Sequence, residues 1–385
     1  MCGISGELFF NKQPVTEESI KIMNQAMSKR GPDHEGIYHG IWTALGHRRL
    51  KIIDLSDESN QPFVDPVLNL IIIFNGAIYN YKSLRKELEQ KGYTFLSEGD
   101  TEVILKAYHA WGENCVDRLN GMFAFVVYDQ KNNQVFMARD RLGIKPLYFY
   151  QTPDSLIFAS SLPAILKTGR LKKSISKQAL HYYMSFHSVI PAPYTIIEGV
   201  RKLPPATTMT VKSNGTLVQR PYWELNFERN TEEKKYSFED WQRYLDTFLM
   251  KAVKRRLTAD VPVGVLLSGG LDSSLIVGLL AEAGQKNIKT FSIGFESVGD
   301  EKGDEFMYSD IIARHFATDH HKIQVDSKQV LPAMPACVQS MSEPMVSHDC
   351  IGFYLLSQEV AKHVKVVQSG QGADEVFGGY HWYPP

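Results

Sequence analysis

The sequence predicts two domains in series, an α+β sandwich followed by an α/β doubly wound parallel sheet. Three observations carry that reading. The first half holds short, dense apolar runs with helical segments between them, "LNLIIIFNG" (Leu68 to Gly76) and "GMFAFVVYD" (Gly121 to Asp129) foremost. Beyond Asn226 the rhythm changes to strand–helix alternation, the pattern of a parallel sheet. The densest glycine–serine cluster, "VLLSGGLDSS" (Val265 to Ser274), falls where a strand hands over to a helix. The 385 residues are enough for two domains of about 150 residues or more each.

The elements follow in order. "ESIKIMNQAMSKRG" puts Ile20, Met23 and Met27 at helical spacing and stops at Gly31-Pro32. "YNYKSLRKELEQKGY" is a helix with Asn80 as N-cap, Leu84 and Leu88 on one face and Gly92 as its stop. "SLIFAS" (Ser155 to Ser160) is a further strand. A linker is expected next, with a hairpin turn at Asn214-Gly215 and then a polar, charged run that includes "ERNTEEKK". The boundary is placed near Asn226, giving domains 1–225 and 226–385. In the second domain "VPVGVLLS" is a strand, "LDSSLIVGLLAEAG" a helix closed by Gly284, and "IKTFSIGF", "HHKIQV" and "VKVVQSG" are strands.

Composition narrows the function. Net charge is −1, from 42 basic and 43 acidic residues, so nothing electrostatic favours nucleic acid or an anionic membrane as partner. No apolar run approaches the ~18–20 residues of a membrane span, and no signal peptide precedes Cys2. Cys2, Cys115, Cys337 and Cys350 show no CxxC spacing and are too sparse for a disulfide framework. A cytoplasmic enzyme is expected. His34, His47, His348 and His381 lack ligand spacing and read as structural or acceptor-site residues.

The chain opens "MCGISG". Loss of Met1 would leave Cys2 with both a thiol (~8.5) and an α-amine (~7.7–8.0), a nucleophile and a base in one residue. The bland alternative is a small residue at the start of a strand.

In "SGGLDSS", Gly269 and Gly270 let the backbone approach an anion, and the helix N-terminus cradles phosphate. Ser268, Ser273 and Ser274 add hydroxyls, and Asp272 can hold Mg²⁺. This is neither GxxxxGK[ST] nor GxGxxG. "SGQGADEVFGG" (Ser369 to Gly379) repeats the arrangement after another strand, with carboxylates Asp374 and Glu375. Both loops belong on one sheet edge, where Asp272 and Asp374 could share Mg²⁺ on one triphosphate.

SGGLDSS resembles the pyrophosphate loop of the ATP pyrophosphatases, which adenylate a carboxylate or carbonyl and release pyrophosphate. The first half resembles the class II glutamine amidotransferase domain of the asparagine synthetase family. The matching pieces, in the family's order, are "MCGISG", "RGPDHEG", "HRRLKIIDL", "FNGAIYNY", "EGDTEVIL", "LNGMFAFVVYD" and "RDRLGIKPLYF". The resemblance implies an N-terminal-nucleophile αββα sandwich joined to an adenine nucleotide alpha hydrolase-like sheet. It implies Cys2 as nucleophile, Met1 absent from active protein, and the Asn75 side chain with the Gly76 N–H as the oxyanion site. Arg49 would grip the glutamine α-carboxylate and Asp100 would face its ammonium, with Leu50, Ile52, Asn75 and Gly76 completing the glutamine site. ATP would meet Leu266, Ser268, Gly269, Gly270, Asp272, Ser273, Ser274, Ile293, Ser369 and Gly370. The implied partners are glutamine, Mg-ATP and a carboxylate acceptor. Ammonia would travel an intramolecular path, along which "GMFAFVV" and "RDRLGIKPLYF" are candidate walls, equally well explained as core.

Three departures bear on the acceptor. Ala77 stands where asparagine synthetases usually carry Glu, and Gln371 where they usually show Glu. "SEPMVSHDC" (Ser342 to Cys350) replaces their Thr-Thr-x-Arg segment and has no Arg for an acidic acceptor. With "SFHSVIPAP", "FSIGFESVGDEKGDEF" and "QGADEVFGGYHWYPP", the chain looks like the N-acetylglutaminylglutamine amidotransferase branch. That branch amidates a neutral N-acetylated dipeptide to make a compatible solute. Rival readings are an asparagine synthetase using aspartate, a glutaminase with a silent second domain, and a nucleotide-binding protein without chemistry. Oligomeric state stays open, a homodimer being one candidate. The "GGYHWYPP" ending supplies no closing helix, so a C-terminally truncated fragment is expected.

Overall fold

Alternation of buried side chains builds the N-terminal part of the molecule. The computed structural model describes residues 1–10, 15–295, 305–345, 347, 349–380 and 383. His348, His381 and most of the "ESVGDEKGDEF" stretch lie outside the described residues. Two units are distinguished, Met1–Asn226 with Met341–Met345, and Phe227–Ser340 with Val346–Pro385.

In the first unit one antiparallel sheet runs β10 (Val200–Lys202), β8 (Tyr148–Gln151), β9 (Ser155–Ala159), β1 (Gly3–Phe9), β3 (Thr43–Arg49), β2 (His34–His39). The other runs β12 (Leu217–Pro221), β11 (Thr207–Lys212), β7 (Gln134–Arg139), β6 (Gly121–Asp129), β5 (Leu70–Ile78), β4 (Phe63–Asp65). Because side chains alternate along a strand, Ile71 and Ile73 of β5 meet Ile4, Leu8, Leu45 and Phe158 of the first sheet. Their neighbours Ile72 and Phe74 face α2 (Tyr81–Gln90) and α3 (Asp100–Trp111) through Leu84, Leu88 and Ile104. On the far face of the first sheet, Ala44, Ile157 and Ala159 pack on α1 (Glu18–Ala26) and α5 (Leu162–Lys167) through Ile20, Met23 and Ile165. The result is a four-layer αββα sandwich, completed by α4 (Cys115–Arg118) and α6 (Lys177–Ser185).

Two sequence expectations are corrected here. The stretch read as linker gives up residues 207–221 to β11 and β12, paired across the turn in which Gly215 takes φ +84°. The physical reason is that Met209 and Val211 alternate into the inter-sheet core. Asn80 occupies the N-cap position of α2 without capping it. Its side chain instead accepts from Asn120 N (2.9 Å) and donates to Arg118 O (2.9 Å), tying down the approach to β6.

The second unit is a parallel sheet in the order β15 (Asp319–Val325), β14 (Lys289–Phe295), β13 (Val263–Leu266), β16 (Val366–Gln368). Helices α7 (Phe238–Arg255), α8 (Leu271–Glu282) and α9 (Phe306–His315) cover one face through Val253, Val277, Leu280 and Ala313. Helix α10 (Ser327–Ser340) leads to α11 (Asp349–Val360), which covers the other face through Leu356 and Val360 on Phe291. A short α12 (Ala373–Phe377) follows β16. The strand order reverses between β13 and β16, so a ligand crevice is expected beyond their carboxyl ends. Helix α7, absent from the sequence expectations, starts at a capping box made by Ser237 and Asp240.

Candidate functional site

Cys2 lies one residue before β1, fastened from both sides. Leu50 N donates to its Sγ at 3.4 Å, and Arg30 Nε donates to its carbonyl at 3.2 Å. The "RGPDHEG" loop holds these donors in place. Gly31 rests on the β3 backbone, where a Cβ would come within 2.6 Å of Arg49 N, and Asp33 accepts from Lys51 N at 2.8 Å. Burial pushes the Cys2 thiol above its usual value, partly offset by the Leu50 donor, so a base is needed to make thiolate at neutral pH. Burial also lowers the chain's terminal amine to about 6, leaving it unprotonated there. That amine belongs to Met1, whose Sδ accepts from Lys145 Nζ at 3.1 Å.

The edge of β5 is the second component. Odd-numbered residues of β5 pair with β6, so the N–H groups of Phe74, Gly76 and Ile78 point the other way. Strand β4 covers that edge only as far as Ile72. Side chains satisfy two of the three exposed donors. Phe74 N donates to Gln61 Oε1 at 2.6 Å and Ile78 N to Asp100 Oδ2 at 2.9 Å. Gly76 N lies between them on the same edge, and no side chain takes it as a donor among the described residues. Beside it the Asn75 Nδ2 amide is buried and without an acceptor among those residues. By alternation Asn75 shares the Ile71 and Ile73 face, toward the sheet that contains β1. A buried donor such as Asn75 Nδ2 is rarely left unmatched, and with the half-buried Gly76 N–H beside it the pair can receive an oxyanion. A Cβ on Gly76 would lie 2.2 Å from Met122 O on β6 and 2.6 Å from the Phe74 ring, so only glycine fits this position.

Asp100 is buried at the first turn of α3, and burial raises its carboxyl to about 7 despite the Ile78 donor. Arg49 reaches into the 53–60 loop. It is buried, and one terminal nitrogen serves Ser56 O (2.7 Å) and Asn60 Oδ1 (2.8 Å) while the other serves Asp54 O. Both terminal nitrogens bond the 53–60 loop. Asp54 organises that loop. Burial opposes its ionisation, but donors from Ser56, Ser59 and Glu98 hold its carboxyl at about 2. Leu50 and Ile52 are half-buried in the same loop region, and Ala77 is buried in the helix-side core.

In the second unit the sequence-predicted loops meet. A Cβ on Gly370, after β16, would lie 2.8 Å from Asp272 Cβ and 3.1 Å from Ser273 N, so the two loops face across the switch point. Gly269 adopts φ +96° and packs on α9, a Cβ there falling 2.5 Å from Ser309 N. Ser268 and Ser273 hydroxyls bond at 3.0 Å, Gly270 N donates to Ser268 Oγ at 3.3 Å, and Ser274 Oγ is buried without a partner. Leu266 and Ile293 are half-buried on β13 and β14 beside this end. Ser369 follows β16, and Gly372 (φ +95°) leads into α12. The Asp374 carboxylate lies against Gly379. Among the described residues no three His, Cys, Asp or Glu side chains converge as a metal site.

Together the units define a class, an N-terminal-nucleophile glutamine amidotransferase fold followed by an adenine nucleotide alpha hydrolase-like sheet. A glutamine amidotransferase domain model matches residues 1–223 and an asparagine synthase model residues 245–385. The chain is 38% identical over 389 residues to asparagine synthetase [glutamine-hydrolyzing] 1 of Bacillus subtilis, covering 100% of itself and 59% of that protein. It is 37% identical over 402 residues to a putative asparagine synthetase [glutamine-hydrolyzing] 2 of Methanocaldococcus jannaschii, covering 99% and 76%. A third relative, asparagine synthetase [glutamine-hydrolyzing] 3 of Bacillus subtilis, is 34% identical over 397 residues, with 100% and 64% covered. The chain belongs to the glutamine-hydrolysing asparagine synthetase family, and it spans 59% to 76% of the length of these relatives. Among the described residues no helix is long and apolar enough to cross a membrane.

Sequence reading missed Gln61, Arg30 and Asp33 as site residues. Their partners lie at separations of 13, 28 and 18 residues, and only a polar residue in a buried stretch hinted at Gln61.

Proposed function

We propose that the protein takes ammonia from glutamine and uses ATP to amidate a carboxylate. The buried, unmatched Asn75 Nδ2 amide, beside the Gly76 N–H on the edge of β5 that β4 leaves uncovered, is the observation that carries this reading. With Met1 removed, the α-amine of Cys2 takes the thiol proton and Sγ attacks the glutamine side-chain carbonyl. The oxyanion is received by Asn75 and Gly76. Collapse expels ammonia with the transferred proton, and water releases glutamate from the thioester. In the second unit Ser268 to Ser274, with Ser369 and Gly370, bind ATP. The acceptor carboxylate displaces pyrophosphate, and ammonia then displaces AMP. Asp272 and Asp374 would hold Mg²⁺, which screens charge on the departing pyrophosphate.

For the acceptor we favour N-acetylglutaminylglutamine, hence a cytoplasmic role in osmoprotection. Support comes from Ala77, Gln371 and the Arg-free Ser342–Cys350 segment. L-Aspartate is the second reading, favoured by the names of the relatives. The test incubates full-length protein with glutamine, Mg-ATP and either acceptor, following AMP and products by mass spectrometry. AMP with amidated dipeptide is expected. Asparagine from aspartate alone would transfer the assignment to the second reading, and glutamate without AMP would leave a glutaminase.

Asp100 gives this reading a pH dependence. Its carboxyl, near 7 when no glutamine is bound, must be ionised to meet the substrate ammonium. Below pH 7 the Asp100 proton should add about a tenfold fall per unit in kcat/KM for glutamine to that of the α-amine base. D100N retains an acceptor for Ile78 N, so it should lower kcat/KM at pH 8 and make this limb shallower by one proton. A D100N profile parallel to wild type would remove Asp100 from the binding role.

A further inference from the structure

Phe74, immediately before Asn75 and Gly76, has both main-chain polar groups held by side chains. His47 Nε2 meets its carbonyl at 3.0 Å, and burial lowers His47 to about 3, which keeps the ring neutral and makes Nε2–H the donor. Gln61 Oε1 accepts from its N–H at 2.6 Å. The other end of the same amide, Gln61 Nε2, donates to Thr101 Oγ1 at 3.1 Å. Thr101 follows Asp100 in the first turn of α3. A single buried, planar side chain thus spans from the strand that presents Asn75 and Gly76 to the helix turn that presents Asp100. Both its ends are used, and both bonds are buried.

We infer that Gln61 is a positioning residue for glutamine hydrolysis, a bridge of fixed length between the oxyanion donors Asn75 and Gly76 and the carboxylate of Asp100. The bridge matters because one glutamine molecule must reach both ends. Its side-chain carbonyl belongs at β5 and its ammonium at α3, so a drift between these elements misplaces one whenever the other is seated. β6 pairs the inner edge of β5, but Asn75 and Gly76 lie beyond the cover of β4, where the outer edge is held by Gln61 at Phe74 N and by Asp100 at Ile78 N. Gln61 touches neither substrate position and acts through Phe74 and Thr101. This inference rests on the proposed glutaminase reading and adds a residue to it.

The test measures glutamate release by full-length wild type, Q61M, Q61E and T101V. Met fills the same volume without either bond. Glu keeps an acceptor for Phe74 N–H and, as a neutral acid, also a donor for Thr101. T101V removes only the far anchor and preserves shape, which keeps the test decisive if Q61M folds poorly. Q61M should lose at least about tenfold in kcat/KM, with kcat falling and KM rising together. T101V should show the same pair of changes at about threefold to tenfold, and Q61E should recover most of the loss at pH 6. An aldehyde analogue of glutamine, which forms a tetrahedral adduct on the thiol, should weaken in parallel with kcat/KM while bound glutamate weakens less. Q61M and T101V within twofold of wild type, even with a lowered melting temperature, would overturn the inference, as would equal weakening of aldehyde and glutamate. Absence of glutamate release by wild type would instead sink the underlying reading.

Discussion

Replacing Cys2 by alanine will reduce glutamate formation from glutamine by at least about 10⁴-fold, and a chain that retains Met1 will be comparably inert. The first loss follows from geometry. Leu50 N holds the Cys2 sulfur just before β1, and Cys115, the other cysteine of the sandwich, is fully buried in the helix-side core. The second follows from acid–base chemistry. With Met1 attached, the nitrogen of Cys2 is an amide and cannot take the thiol proton, while burial holds the thiol above its usual value. Asn75→Ala should be milder, about 10² to 10³-fold, because Gly76 N–H would still receive the oxyanion. The measurement is glutamate release together with mass-spectrometric mapping of a glutamine-mimicking diazoketone. Label on Cys2 in processed wild type, and on neither C2A nor the Met1-retaining chain, is expected. Glutamate release by a Met1-retaining chain would show that the α-amine is not the base.

Local pattern made much of this molecule legible. Strand β6 runs over the same residues, Gly121–Asp129, that alternation and turn signals mark out, and Ile20, Met23 and Met27 are all buried as their helical spacing requires. The glycines of SGGLDSS were legible because a positive φ and a close backbone approach leave few other residue types. What stayed hidden depends on contacts between distant segments. That no side chain among the described residues takes the Gly76 N–H cannot be read from "FNGAIYN", because it depends on β4 stopping opposite Ile72 and on Gln61 and Asp100 taking the flanking donors. Arg49 is the converse. Its residue type suits a carboxylate, but its bonds to the 53–60 loop are not revealed by sequence spacing. Helix α7 begins at Phe238, directly after the polar run, and Val253 is its one buried residue among those described.

Gly269→Ala will cost ATP-dependent pyrophosphate release at least about 100-fold, while diazoketone labelling of Cys2 proceeds as in wild type. Two effects act at Gly269 and can be separated. Its φ of +96° makes any side chain strained, which costs about 1–2 kcal/mol. Its Cβ would also fall 2.5 Å from Ser309 N and 2.6 Å from Tyr308 Cβ, so the loop must leave α9. Moving the loop displaces Ser268 and Gly270, whose hydroxyl and N–H groups would otherwise be preset for phosphate. Gly284, at the end of α8, provides the control, since it has φ +84° with nothing within 4 Å of a Cβ. Gly284→Ala therefore carries the backbone strain without the collision. It should lower the melting temperature of the second unit and leave pyrophosphate release near wild type. If the two variants lose activity alike, strain alone accounts for the effect and the loop's seat against α9 is not what shapes the phosphate site. If only Gly269→Ala fails, the close approach at Ser309 is the feature that holds the cradle in shape.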